Sequence, residues 1–121
     1  MEIKGFIGIS LIDWDGKVSS VIFLPSCNMR CPFCYNTKLV LQSSQLPTVP
    51  LEKIWSYLKK NRGWIDGVVV TGGEPTIHED LSILCQEIKR LDFLVKLDTN
   101  GTNPKMIQEL IDKELIDYIA M

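Results

Sequence analysis

The sequence predicts an α/β domain in which an N-terminal β-hairpin leads into about four parallel strands alternating with helices. Three observations point there. Two apolar runs, Gly5 to Ile12 and Lys17 to Leu24, flank the turn residues Trp14-Asp15-Gly16, and Asp-Gly suits a tight hairpin. Gly67 to Thr71 is short, continuously apolar and β-branched, as strands buried on both faces of a parallel sheet are. Apolar residues at helical spacing separate the later strands, and strands that alternate with helices imply crossover connections.

Taken in order, Pro25 stops the second hairpin strand, and Ser26 to Asn36, with the turn formers Asn28 and Pro32, reads as a loop. Gln42 to Pro50, rich in Gln, Ser, Thr and Pro, reads as a second loop. Leu51, Ile54, Trp55 and Leu58 form one face of a helix that Gly63 is placed to end. The strand Gly67 to Thr71 follows, then a helix with Leu81, Leu84, Cys85 and Ile88 on its apolar face. Phe93 to Leu97 is the next strand. Asn103 as N-cap and Pro104 at the first helical position begin a third helix that buries Ile107, Leu110 and Ile111. Asp117 to Met121 opens a further strand.

The 121 residues, 45% hydrophobic and 23% charged, fit one soluble globular domain over 1–121. Thirteen basic and fifteen acidic residues give a net charge of −2 without any block of like charge, which offers no footprint for nucleic acid or an anionic membrane. No apolar run approaches the ~20 residues that span a bilayer. Met1 to Lys4 carries both signs of charge, and Gly8 and Ser10 interrupt Phe6 to Ile12. That start does not read as a targeting segment, and a cytoplasmic protein is expected.

The polar motifs follow strand ends. The cysteine loop comes after Leu24, Gly72-Gly73-Glu74-Pro75 after Val70-Thr71, and Asp98-Thr99-Asn100-Gly101 after Lys96-Leu97. In a parallel sheet these ends share one edge, where ligands bind, so the spacing predicts one composite site. Cys27, Cys31 and Cys34 form C-x3-C-x2-C, an arrangement too crowded for disulfides and suited to zinc or an iron-sulfur cluster in a reducing compartment. The number three is informative, because structural zinc sites and electron-transfer clusters close with four ligands. An iron without a protein ligand leaves a place for substrate or cofactor. Cys85 sits in an apolar helical stripe and reads as a core residue.

With Phe33 before the third cysteine, the loop resembles the C-x3-C-x-aromatic-C signature of the radical S-adenosylmethionine superfamily, and Gly72-Gly73-Glu74-Pro75 matches a second motif of that family. The resemblance implies a partial (β/α) barrel and a [4Fe-4S] cluster on Cys27, Cys31 and Cys34, whose unique iron is chelated by S-adenosylmethionine. One electron from the reduced cluster then cleaves the sulfonium to a 5'-deoxyadenosyl radical that abstracts hydrogen. It also implies that Phe33, Gly72, Gly73 and Glu74 take part in cofactor binding, with Glu74 beside the cofactor's amino group. Asp98 and Thr99 would lie near its carboxylate and organise a monovalent cation.

Within the superfamily the chain is most similar to activators of glycyl-radical enzymes, in particular those of anaerobic ribonucleotide reductase and pyruvate formate-lyase. Ser10 to Lys17, Cys34-Tyr35-Asn36, Asp98 to Gly101 and Asp117 to Met121 carry that likeness. Asp15 and Tyr35 depart from the usual proline and histidine. The family's barrel has six strand-helix units, so the resemblance implies further strands beyond Met121. It also implies a glycyl-radical enzyme as partner and a flavodoxin- or ferredoxin-like reductant.

Other readings stand beside these. The chain can be a radical enzyme acting on a small molecule, or a noncatalytic metal-binding paralogue. The cysteines can form a zinc knuckle with a ligand from elsewhere. Asp98 is either a turn former or a site residue, and Asp13 either orients the hairpin or meets the partner. His78 reads as structural or solvent-facing, Trp55 and Trp64 as packing residues. Met29 and Arg30 stand between the ligand cysteines, placed to shield the cluster or meet a partner.

Overall fold

The computed structural model describes residues 3–25 and 48–121. Five strands form one sheet in the order β1 (Gly5–Ser10), β2 (Ser19–Leu24), β3 (Gly67–Gly72), β4 (Leu94–Asp98) and β5 (Tyr118–Ala120). β1 and β2 pair antiparallel, and β2 to β5 run parallel. Between them lie α1 (Leu51–Lys60), α2 (Leu81–Arg90) and α3 (Pro104–Asp112), with a short 3-10 turn at Pro75–Ile77. No helix among the described residues is long and apolar enough to cross a membrane.

The register explains the layers. Ile22 pairs with Val70 and Val70 with Leu97, so one face of the sheet presents Ile22, Leu24, Val68, Val70, Val95 and Leu97. These pack with Ile54 and Leu58 of α1, with Leu81, Leu84, Cys85 and Ile88 of α2, and with Leu110 of α3. Each such aliphatic side chain contributes about 1.5–3 kcal/mol when fully buried, which is what fastens every helix to the same face. Strand order that advances in one direction with helices on one side is the winding of a barrel; a doubly wound sheet reverses order and carries helices on both faces.

The opposite face holds a smaller cluster of Trp14, Val21 and Val69 with Phe23 and Leu94. Trp14 comes from the 11–18 connection, which folds over the N-terminal ends of β3 and β5: a Cβ on Gly67 would stand 2.6 Å from the indole, and Tyr118 lies at a ring-centroid distance of 6.3 Å. Ser10 donates to Asp13 within this connection, and the Lys96 ammonium donates to the Asp13 carbonyl at 2.5 Å. The connection is thus tied to β4.

Several details differ from the sequence expectation. The hairpin strands stop at Ser10 and resume at Ser19; Lys17 N–H closes a turn onto the Trp14 carbonyl, and only Gly16 of the Asp-Gly pair takes a positive φ, 76°. α1 ends at Asn61, whose backbone and side-chain amides both donate to the Tyr57 carbonyl, rather than at Gly63. Phe93 is buried but lies in the turn that closes α2, its N–H returning to the Ile88 carbonyl after Asp92 adopts a left-handed φ of 68°. β4 therefore starts one residue later. In α3 the buried stripe is rotated toward Met106, leaving Ile111 45% exposed. Trp55 packs against the core while Trp64 is 76% exposed, so only the first is a packing residue. Cys85 is fully buried, and burial pushes its thiol up to about 12, which suits an inert core residue.

Gly72 ends β3 with φ 114°, and an added Cβ would lie 2.3 Å from the Leu24 carbonyl oxygen. Gly72→Ala should therefore cost more than about 2 kcal/mol in urea unfolding. Gly63→Ala, where nothing lies within 4 Å, should stay within about 0.5 kcal/mol.

Candidate functional site

Three strand ends meet at one edge of the sheet. Leu24 and Gly72 are register partners, as are Val70 and Leu97, so the carboxyl ends of β2, β3 and β4 lie side by side. The absence of a side chain at Gly72 lets β3 approach the Leu24 backbone closely, and Gly73 N–H donates to the Leu24 carbonyl at 2.9 Å.

Glu74 lies at the centre of this edge. Its side chain is 1% exposed, which for a carboxylate demands compensating donors. The described residues supply them. Oε2 accepts from Thr76 N–H at 3.0 Å, from the Thr76 hydroxyl, and from the Thr99 hydroxyl at 2.6 Å; Oε1 accepts from Asn100 N–H at 2.8 Å. The carboxylate thus joins the turn after β3 to the turn after β4. Its charge remains next to Gly72 and Gly73, while most of its acceptor capacity is spent inside the protein.

Neighbouring contacts hold this junction from both sides. Asn103, predicted as an N-cap, accepts from Met106 N–H at 3.2 Å and also donates through Nδ2 to the Thr76 carbonyl at 2.9 Å. His78 follows the 3-10 turn, and its Nε2 lies 2.9 Å from the Pro25 carbonyl. Thr99 N–H donates to Ala120 O at 3.0 Å, and the Thr99 hydroxyl accepts from Gly101 N–H at 3.2 Å. Thr99 is therefore buried within the protein's own network.

Asp98 differs from Glu74. Its Oδ1 is buried with no hydrogen-bond donor aligned on it among the described residues; Lys96 Nζ stands 3.3 Å away as an ion-pair partner. Burial raises the Asp98 carboxyl above its ordinary value, opposed by the Lys96 ammonium and the Thr71 hydroxyl and reinforced by Asp13. Asp98, Lys96 and Asp13 therefore form one charged group on the sheet face opposite the helices.

The structure brings Gly72, Gly73, Glu74, Asp98 and Thr99 together. Cys27, Cys31, Cys34 and Phe33, with Met29, Arg30 and Tyr35, lie outside the described residues; the last described residue before them, Pro25, stands at the same edge. Lys96, Asn100, Asn103 and His78 complete the neighbourhood. Asn100 belongs to the predicted strand-end motif, Asn103 is expected as the cap of its own helix and His78 as structural or solvent-facing; no sequence signal gives Lys96 a role. The donor chemistry fits a cluster with an amino-acid-like ligand: three thiolates suit iron-sulfur, and at the described edge the glycines permit close backbone approach beside the charged Asp98–Lys96 pair.

Replacing Glu74 by Gln would set an amide donor against N–H and O–H donors. Glu74→Gln should lower stability by at least about 2 kcal/mol in urea unfolding. Thr99→Val, which removes one donor from the carboxylate, should cost about 1–2 kcal/mol. An unchanged midpoint for Glu74→Gln would exclude the carboxylate as a structural acceptor.

Residues 21–121 match the sequence pattern of the Radical SAM superfamily. A protein of Methanocaldococcus jannaschii named as a glycyl-radical enzyme activating enzyme is 42% identical over 120 residues, covering 98% of this chain and 48% of its own length. A 7-carboxy-7-deazaguanine synthase of Haemophilus influenzae is 32% identical over 108 residues, covering 87% of this chain and 43% of the enzyme. The chain thus spans about half the length of these relatives. Among solved structures, QueE from Escherichia coli superposes with a TM-score of 0.60 at 22% identity, over 84% of this chain and 52% of QueE, a likeness of fold. The match over residues 21–121, together with a strand edge built around Gly72-Gly73-Glu74-Pro75, makes this chain a member of the radical SAM superfamily.

Proposed function

We propose that the chain provides the cluster- and cofactor-binding part of an enzyme that activates a glycyl-radical enzyme, with anaerobic ribonucleotide reductase as the partner. The observation that carries this reading is 42% identity to a protein named as such an activator along 98% of the chain, at a site whose described residues converge on one strand edge. Cys27, Cys31 and Cys34 would hold a [4Fe-4S] cluster, with Phe33 beside it. S-adenosylmethionine bound there would supply one-electron chemistry that ends in hydrogen abstraction from a backbone glycine of the partner.

The chain's own residues do the positioning. Gly72 and Gly73 expose backbone beside the Leu24 stem and would receive the cofactor's amino-acid end. Glu74 keeps that backbone in register with the turn after β4 and adds negative charge near an ammonium. Asp98, ion-paired with Lys96 at 3.3 Å, would organise a small monovalent cation in exchange for that ammonium, and Thr99 holds the turn that carries it. Trp14 covers the opposite end of the same face, against Gly67 and Tyr118, and would limit water there. A flavodoxin- or ferredoxin-like protein would be the reductant.

A second reading has its own support. The 32% identity to a 7-carboxy-7-deazaguanine synthase and the QueE-like fold favour a radical enzyme acting on a small molecule. The two separate on incubation of the anaerobically reconstituted protein with S-adenosylmethionine, reductant and candidate glycyl-radical enzymes. A glycyl radical signal on the partner is expected; its absence with every candidate, alongside continued cofactor cleavage, would favour the small-molecule reading. Alanine at Cys27, Cys31 or Cys34 should abolish iron binding, whereas Cys85→Ala should retain it.

A further inference from the structure

We propose that His78 is a positioning residue for the cysteine loop, acting through the Pro25 carbonyl. The inference rests on the reading that Cys27, Cys31 and Cys34 hold the cluster, and it assigns to His78 a role in fixing where that loop begins. Pro25 is buried, and as a proline it has no N–H, so its carbonyl is its one backbone polar group. A buried carbonyl needs a donor, and His78 Nε2 stands 2.9 Å from it. Because a carbonyl only accepts, Nε2 carries the hydrogen, and it does so in the neutral and the charged imidazole alike. The contact therefore does not depend on the protonation state of the ring.

The donor is itself anchored. His78 N–H bonds to the Pro75 carbonyl at 3.1 Å and its own carbonyl accepts from Leu81 N–H at 3.2 Å, where the 3-10 turn passes into α2. One residue earlier in the stem, the Leu24 carbonyl is taken by Gly73 N–H. Two successive carbonyls at the end of β2 are thus held by one short segment, residues 73–78, which also carries Glu74. Cys27 follows Pro25 by two peptide units, so its Cα lies within about 7 Å of the Pro25 Cα. On that reading, fixing the Pro25 carbonyl would narrow where the first thiolate can stand.

The test compares wild type, His78→Gln, His78→Phe and His78→Ala after anaerobic cluster loading, by rate of iron loss to a chelator and by the electron paramagnetic resonance signature of the reduced cluster. Gln keeps an N–H donor without the ring; Phe keeps a ring without the donor. His78→Gln should stay within about twofold of wild type, while the Phe and Ala variants should lose iron roughly fivefold faster, the scale of one lost hydrogen bond. Their cluster signature should also shift on adding S-adenosylmethionine to a different degree from that of wild type. Wild-type retention by Phe with failure of Gln would overturn the proposal in favour of ring packing, and equal behaviour of all four would overturn it outright. If wild type binds no iron, or iron persists in Cys27→Ala, the cluster reading itself falls and takes this proposal with it.

Discussion

A single buried carboxylate, that of Glu74, determines how the polar edge of this sheet is assembled. Removing a carboxylate from water is costly unless donors replace the solvent. Here the replacements come from two separate chain segments: Thr76 beside it, and Thr99 and Asn100 across the edge. Parallel strands pair through their backbones and leave the loops beyond them unconstrained. Glu74 supplies that missing constraint, because its charge is tolerated in the interior only while the loop after β4 stays in place.

The same short segment reaches the other way. The close approach of Gly72 to Leu24, the Gly73 to Leu24 hydrogen bond and the His78 to Pro25 contact bind it to the end of β2. Residues 72–78 thus bridge the stem of the cysteine loop and the Asp98 turn. The proposed radical chemistry would use such a bridge, since a reactive species must form next to its target with competing water excluded. The helices contribute indirectly: their aliphatic faces fix the sheet, and the sheet fixes the strand ends.

Much of the layout was legible because it is periodic. The stripes of α1 and α2, the β-branched run of β3 and the Asn103-Pro104 start of α3 are local patterns with local causes, and all appear in the structure. The meeting of the Gly72-Gly73-Glu74 and Asp98-Thr99 segments at the end of β2 followed from parallel topology alone. What was not legible depends on tertiary contacts. Nothing near Glu74 announces Thr99 as its partner, and nothing near His78 points to Pro25. Gly63 looked like a helix stop until the Asn61 side chain took the carbonyl first. Trp64 is apolar enough for a core, yet no element among the described residues covers it. Composition marks a residue as able to pack; only the fold decides whether it does.

The arrangement of the strand edge depends on Glu74 holding the turn after β4. The most direct measurement is amide hydrogen exchange at Asn100, whose N–H lies beyond the last residue of β4 and donates to Glu74 Oε1. The account predicts protection as strong as that of the β3 core amides of Val69 and Val70, because releasing this N–H strands a buried carboxylate. Exchange of Asn100 at the rate of an open loop, with β3 still protected, would contradict it.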